Sequence, residues 1–134
     1  MKPLFTPHAP QPIGPYSQAV ESENLVFCSG QVAIVPETGK LLEGDAGAQT
    51  DQVLRNLGEV LKAGGLSYGD VVKTTIFLVD MKDFPEVNAA YVNAFAQTKP
   101  ARSTVAVASL PLGAKVEIDA IAVRHERRAR ATVT

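Results

Sequence analysis

Within "KPARSTVAVASLPLGAKVEIDAIAV", Lys99 to Val123, two apolar strands are predicted, at about Ser103 to Ser109 and Lys115 to Val123. Yet Arg102 stands at the entrance of the first, and Glu117 and Asp119 lie inside the second. Charged groups in a sheet are costly unless they are paired or used. Strand alternation puts Arg102, Thr104 and Ala106 on one side, and Glu117, Asp119, Ile121 and Val123 on one side of their own strand. Arginine is a two-point partner for a carboxylate. Glutamate can position a water and accept its proton. The competing reading is an ordinary salt bridge between Arg102 and Glu117, or two solvated charges at strand ends. If the strands form a hairpin around Pro111-Leu112-Gly113, Glu117 lies opposite Val107 and Arg102 stands about five residues, on the order of 16 Å, away along the strand. A single site using both residues would then draw on two chains.

Other chemistries lack support. His8 and His125 lie near the two ends, and no His/Cys/Asp/Glu spacing resembles a metal site. There is no G-x-S-x-G, no P-loop and no Gly-rich dinucleotide fingerprint, so no metal and no cofactor is expected. The single cysteine, Cys28 in "LVFCSG", reads as a small buried hydrophobe rather than a nucleophile. The formal net charge of −1 argues against a strong grip on nucleic acid or membrane. Arg124 to Arg130 holds four arginines and a histidine. It reads as a solvated terminus, frayed over residues 126–134, rather than an RNA-binding tail. No secretory segment and no run of about 18 apolar residues appears, so a cytoplasmic protein, or a mature chain lacking its targeting peptide, is expected.

The 134 residues make one domain. The proline-rich start is extended or looping. Short strands are predicted at Ser17 to Glu21 and Asn24 to Ser29, joined by a tight turn. A third runs over Gln31 to Val35, before the turn "PETG". From about Asp45 to Ala63 the period becomes helical, with Val53, Leu54, Leu57, Val60 and Leu61 on one face and Gly64-Gly65 as the stop. Asp70 to Asp80 is a β-branched central strand. Asp83 and Glu86 suit a capping box for a second helix, whose Val87, Ala90, Tyr91, Ala94 and Phe95 face the core. The order gives an α+β fold with both helices on one face of a sheet. The other face keeps Val, Ile and Ala, and a domain this small usually hides such a face against copies of itself.

"IGPYSQAV" (Ile13–Val20), "FCSGQVAIVPETGKL" (Phe27–Leu41), "VVKTTIFLVDMKDFPEVNAAY" (Val71–Tyr91), "PARSTVAVASLP" (Pro100–Pro111) and "VEIDAIAV" (Val116–Val123) carry a resemblance to one family. In order and spacing, over nearly the whole chain, they resemble the reactive intermediate deaminase, or Rid/YjgF, family. The resemblance implies a chorismate-mutase-like fold with a mixed six-stranded sheet and two helices on one face. It implies a homotrimer with clefts between subunits, and hydrolysis of 2-imino acids and their 2-enamine tautomers to 2-keto acids and ammonia. By position, Arg102 matches the family's carboxylate-binding arginine and Glu117 the acid near the attacking water. Tyr16, Ser29, Gly30 and Asn88 match other cleft residues. Thr104 stands where many members carry cysteine, which bears on substrate preference. Each position keeps an alternative: a turn for Gly30, a strand-end cap for Ser29, boundary packing for Tyr16, plain exposure for Asn88. Two other function classes stay open, an RNA-cleaving or translation-inhibiting protein and a non-enzymatic binder of small carboxylates.

Overall fold

The structure is a computed structural model, and it describes residues 1–125. The frayed tail expected over residues 126–134 lies outside the described residues. Ten elements follow in order: β1 (Lys2–Leu4), β2 (Ala19–Ser22), β3 (Leu25–Gln31), β4 (Ile34–Val35), β5 (Lys40–Leu41), α1 (Ala46–Ala63), β6 (Val71–Leu78), α2 (Phe84–Phe95), β7 (Ala101–Ala106) and β8 (Val116–Val123). Six strands form one sheet in the order β1-β2-β3-β8-β6-β7, and β4 and β5 form a separate ribbon. All pairs are antiparallel except β6 with β7.

The helices form where the period says they should. Asp45 caps α1 by accepting from the Ala48 N–H at 2.8 Å. Gly65 ends it with φ 75, a conformation that costs glycine least. Val53, Leu54, Leu57, Val60 and Leu61 are buried, as are Val87, Ala90, Tyr91 and Phe95 of α2. They pack on the inward residues of the sheet, among them Val26, Ile76, Leu78, Val116 and Ile118. Among the described residues, no helix is long and apolar enough to cross a membrane.

Several expectations are corrected. The sixth strand of the sheet is Lys2–Leu4, paired with β2, and not Gln31–Val35. The latter segment breaks after Gln31, and Ile34–Val35 pairs only with Lys40–Leu41 across the "PETG" turn. Asp83 makes no side-chain cap: a 3₁₀ turn over Met81–Asp83 already gives it helical backbone angles, and Asp80 caps that turn instead. Glu86 accepts from the Gly47 N–H at 3.2 Å, tying the starts of the two helices together. Arg124 is not a loose tail residue. It holds Glu21 with two hydrogen bonds, 2.6 and 3.0 Å, and donates to the Gly64 carbonyl at 2.6 Å.

The largest correction concerns the last two strands. β7 and β8 do not form a hairpin, because β6 lies between them. The β6-α2-β7 unit crosses over one face and returns parallel, as a strand–helix–strand passage does. Glu117 therefore pairs with Phe77, not Val107, and Arg102 pairs with Thr74.

Candidate active site

Arg102 and Glu117 point to opposite faces of the sheet. Thr74, the partner of Arg102, is buried on the helix side, where its Oγ1 lies 2.6 Å from the Tyr91 hydroxyl. Phe77, the partner of Glu117, is three residues further along β6 and so points the other way. By strand geometry their Cα positions are roughly 14 Å apart. An ion pair between them is excluded. Among the described residues the salt bridge is Arg124–Glu21.

On the helix side, Arg102 rides on an edge strand and is exposed. Its Nη1 donates to Asn88 Oδ1 at 2.8 Å. Its guanidinium lies 4.9 Å from the Tyr91 ring centre and 5.4 Å from that of Phe84. Asn88 is thus half-buried, not the plainly exposed residue that its place off the apolar stripe suggested, and it is not idle. Phe84, Asn88 and Tyr91 fall at i, i+4 and i+7 on α2, one line along the helix. That spacing was visible in the sequence, yet Tyr91 read only as core and Phe84 and Thr74 did not register. Thr104 pairs with Ile76, so it shares the helix side with Arg102.

The open face carries the second group. Glu117 is half-buried at the centre of the sheet, on β8. Burial, and then the charge of Asp119, pushes its carboxyl above the ordinary value. Its carboxylate lies over the bare backbone of Gly30. A Cβ there would stand 2.8 Å from the Glu117 Cδ and closer still to Oε2. Gly30 is outside the positive-φ glycines, so it is no turn residue; its missing side chain makes room for Glu117. It falls where the β3–β8 register slips, between Cys28 and Gln31.

Ser29 and Tyr16 flank this carboxylate's glycine. Ser29 Oγ donates to the Ser17 carbonyl at 2.6 Å, so it straps β3 to the loop before β2. Tyr16 is 55% exposed and shares a small pocket of about 60 Å³ with Gly30, Ile13, Val32 and Ile34. Gln18, which the sequence reading missed, holds this proline-rich loop in place. It accepts from the Thr6 N–H at 2.7 Å and donates to the carbonyls of Thr6 and Pro10, both at 3.0 Å. The available signal was no more than a glutamine just after the proline-rich start, whose carbonyls need donors.

The rest of the chemistry-bearing inventory lies elsewhere. Cys28 is buried, and burial followed by the Asp119 charge pushes its thiol up to about 12, so it is no nucleophile. A groove of about 430 Å³ lined by His8, Glu37, Arg55, Glu59 and Lys62 carries both signs of charge and touches neither group. The open face itself keeps Leu25, Phe27 and Val105 at 40 to 44% exposure.

Comparison with known proteins adds the family. The sequence model of the family described as Endoribonuclease L-PSP matches residues 6–124. The Reactive Intermediate Deaminase A, chloroplastic, of Arabidopsis thaliana is 54% identical over 119 residues, 89% of this chain. This chain spans 64% of the length of that relative. A mouse protein named 2-iminobutanoate/2-iminopropanoate deaminase is 48% identical over 92% of this chain and 91% of its own. The crystal structure of E. coli TdcF with bound serine superposes with a TM-score of 0.88 at 41% identity, covering 93% of this chain and 100% of that one.

Proposed function

The chain belongs to the Endoribonuclease L-PSP family, and we propose that it is a deaminase that hydrolyses 2-imino acids, with their 2-enamine tautomers, to 2-keto acids and ammonia. The relatives named as deaminases support the reaction class. The observation that carries the chemistry is Glu117, a carboxyl raised by burial and by Asp119 and laid over bare backbone. A carboxylate whose pKa is raised is the better proton acceptor.

Arg102 takes the substrate carboxylate through two parallel hydrogen bonds, which sets orientation as well as charge. Glu117 holds a water against the imine carbon and accepts its proton as the C–O bond forms. For a protonated imine, the same carboxyl then returns that proton to the carbinolamine nitrogen, the C–N bond breaks to release ammonia, and the hydroxyl gives its own proton to Glu117 as C=O forms; this last proton leaves with the ammonia as ammonium. Positioning suffices for so reactive a substrate, so the proposal needs no cofactor and no metal. Thr104 and Asn88 stand on the Arg102 side, and Tyr16, Ser29 and Gly30 on the Glu117 side. TdcF was crystallised with serine, an amino acid whose carboxylate presents the group Arg102 would bind.

The carboxylate and the imine carbon of the substrate are neighbours, whereas Arg102 and Glu117 face opposite ways in one chain. We therefore place each site between two copies, the β7 edge of one meeting the open face of the next. A closed ring of three such contacts, a homotrimer, also covers Leu25, Phe27 and Val105. Equal co-expression of Arg102→Ala and Glu117→Gln chains tests this. Each mixed trimer regains one intact cleft of its three, and with random assembly about a quarter of all clefts are intact, so activity of the whole preparation returns to about a quarter of the unmodified level. No recovery in mixed assemblies overturns the shared cleft. The cytoplasm is the compartment we propose; the Arabidopsis relative is named as chloroplastic, so the chemistry is not tied to one compartment.

The family description favours a second reading, RNA cleavage. A ribonuclease of the acid–base kind works best with a histidine beside its phosphate grip. Here His8 lines a groove away from both Arg102 and Glu117, and the net charge of −1 gives RNA little to hold.

A further inference from the structure

The sheet is held from its helix side by buried amides that the proposed chemistry does not use. Gln49 and Asn56 stand two turns apart on α1 and are almost wholly buried. We propose that they are positioning residues for Glu117: through α1 they fix the two backbones, the start of β8 and the segment after β3, whose close approach holds its carboxylate. The effect on turnover rests on the deaminase reading; the effect on the carboxyl itself does not.

The sheet is one-sided where Glu117 stands. Glu117 pairs with Phe77 of β6. On its other side the β3 register slips between Cys28 and Gln31, and the pairing with β8 ends at Gln31 and Ile118. Beyond that point side chains of α1 take over. Asn56 donates both its amide hydrogens, to the Val32 carbonyl at 3.2 Å and to the Ile34 carbonyl at 2.8 Å. Its own oxygen accepts from Gln52 Nε2 at 2.9 Å, and Gln52 Oε1 accepts from Arg55 Nη1 at 2.9 Å, which fixes the way the Asn56 amide points. Gln49 works on the other backbone. Its Oε1 accepts from the Lys115 N–H at 2.9 Å, two residues before Glu117, and its Nε2 donates to the Leu42 carbonyl at 3.0 Å. The Leu42 N–H in turn donates to the Ala33 carbonyl at 2.8 Å. Lys115 Nζ adds a bond to the Gly44 carbonyl at 2.9 Å, just before α1. The start of β8 and the segment after Gly30 are thus joined to one helix where their own pairing has ended. An apolar side chain at either position would leave buried backbone groups without these partners. The gap so fixed is narrow, since a Cβ on Gly30 would stand 2.8 Å from the Glu117 Cδ. A small drift of either backbone widens it and lets water around the carboxyl.

Titration of the intact protein tests the proposal, with the Glu117 carboxyl followed by carbon NMR, assigned through Glu117→Gln, and read beside imine turnover and Tm. Gln49→Met is nearly isosteric and gives up both bonds. The Glu117 midpoint should fall by about half a pH unit or more towards the ordinary carboxylate value, as water reaches the carboxyl. The kcat should fall about tenfold with KM within about threefold, since the groups that bind the substrate are unchanged. Asn56→Leu should act in the same direction; if that protein does not fold, Gln49→Met decides alone. Thr50→Val is the control. The Thr50 hydroxyl is also buried on α1, but it bonds back to the Ala46 carbonyl at 2.7 Å, within the helix. Any change of Tm in Thr50→Val should come without a change of midpoint or of kcat. Two results overturn the proposal: a Gln49→Met protein that melts earlier but keeps the midpoint, or a Thr50→Val protein whose midpoint moves as far. A midpoint that falls in Gln49→Met with kcat untouched would instead remove Glu117 from the chemistry and leave the positioning standing. An unmodified protein that hydrolyses no imine overturns the deaminase reading, and the midpoints still decide this one.

Discussion

The β7 edge and the open sheet face present charges in opposite ways. At the edge, Arg102 is exposed, hydrogen-bonded to a neutral amide and stacked near two rings. Its charge is kept and its direction is constrained. On the open face, Glu117 stands on a central strand, half-buried, with a second carboxylate two residues away and, among the described residues, no salt bridge. Its charge is made expensive while its place is fixed by the sheet. The first arrangement suits binding, where a permanent charge must be aimed. The second suits proton transfer, where the charged and neutral forms must be close in free energy.

Breaking the chemical half should have the largest effect. Glu117→Gln is nearly isosteric but cannot take a proton from water, so kcat should fall about 100-fold or more while keto-acid binding persists. Its stability effect has a definite sign. Because the folded-state pKa is raised, the folded chain binds this proton more readily than the unfolded chain. That contribution is fully present below the ordinary value of 4.5 and is lost as pH rises through the raised value. Ionised Glu117 is therefore a cost at neutral pH, and Glu117→Gln should raise Tm at about pH 8, the gain fading in acid. A lowered Tm at neutral pH would mark Glu117 as a partner in a structural ion pair instead.

Breaking the binding half comes next. Arg102→Lys keeps the charge but loses the fork, the Asn88 bond and the guanidinium's contact with the Tyr91 and Phe84 rings. The substrate can then rotate, and kcat/KM should drop roughly 10- to 1,000-fold with weaker keto-acid binding. Since Arg102 is exposed and forms no ion pair among the described residues, Tm should stay put. Unchanged turnover with a lowered Tm would remove Arg102 from the site.

The two halves were unequally legible in the sequence. Periodicity found both helices and their buried faces, because burial of a stripe at a period of 3.6 is a local property. It found Glu117 and Arg102 as misplaced charges. It did not find which faces they share, because that depends on strand order. The hairpin around Pro111-Leu112-Gly113 looked natural for neighbouring strands. The strand–helix–strand order of Val71–Ala106 was the stronger signal: a helix crossover brings β7 back parallel to β6, which leaves β8 to pair on the other side. The expectation of a site drawn from two chains came from a wrong register, and the observed faces now give it a different footing. The N-terminal strand Lys2–Leu4 was hidden because three residues with a proline carry no period, and pairing with β2 alone makes it a strand.

A finer break tests Gly30. In Gly30→Ala the new Cβ collides with the end of a flexible side chain, not with backbone. The carboxyl of Glu117 swings aside at little cost to the fold. Tm should change by a few degrees at most, while kcat falls about tenfold because the base no longer addresses the same water. An Ala variant with full activity would show that the position of this carboxyl is not critical, and would sever Gly30 from the site.

The smallest effect sharpens the contrast rather than breaking it. Asp119 is the second cause of the raised Glu117 carboxyl, after burial. Asp119→Asn keeps the shape and the pairing with Thr75 but removes the like charge. The plateau kcat should stay within about threefold, since Glu117 remains and burial still raises it. The acid limb of the pH–kcat profile should move to lower pH, because without the like charge more acid is needed before Glu117 holds a proton. The reverse substitution at the Arg102 end of the site, Asn88→Asp, would bring a new charge to the edge and should change KM without moving the acid limb. If Asp119→Asn leaves that limb where it was, the group that titrates in catalysis is not Glu117.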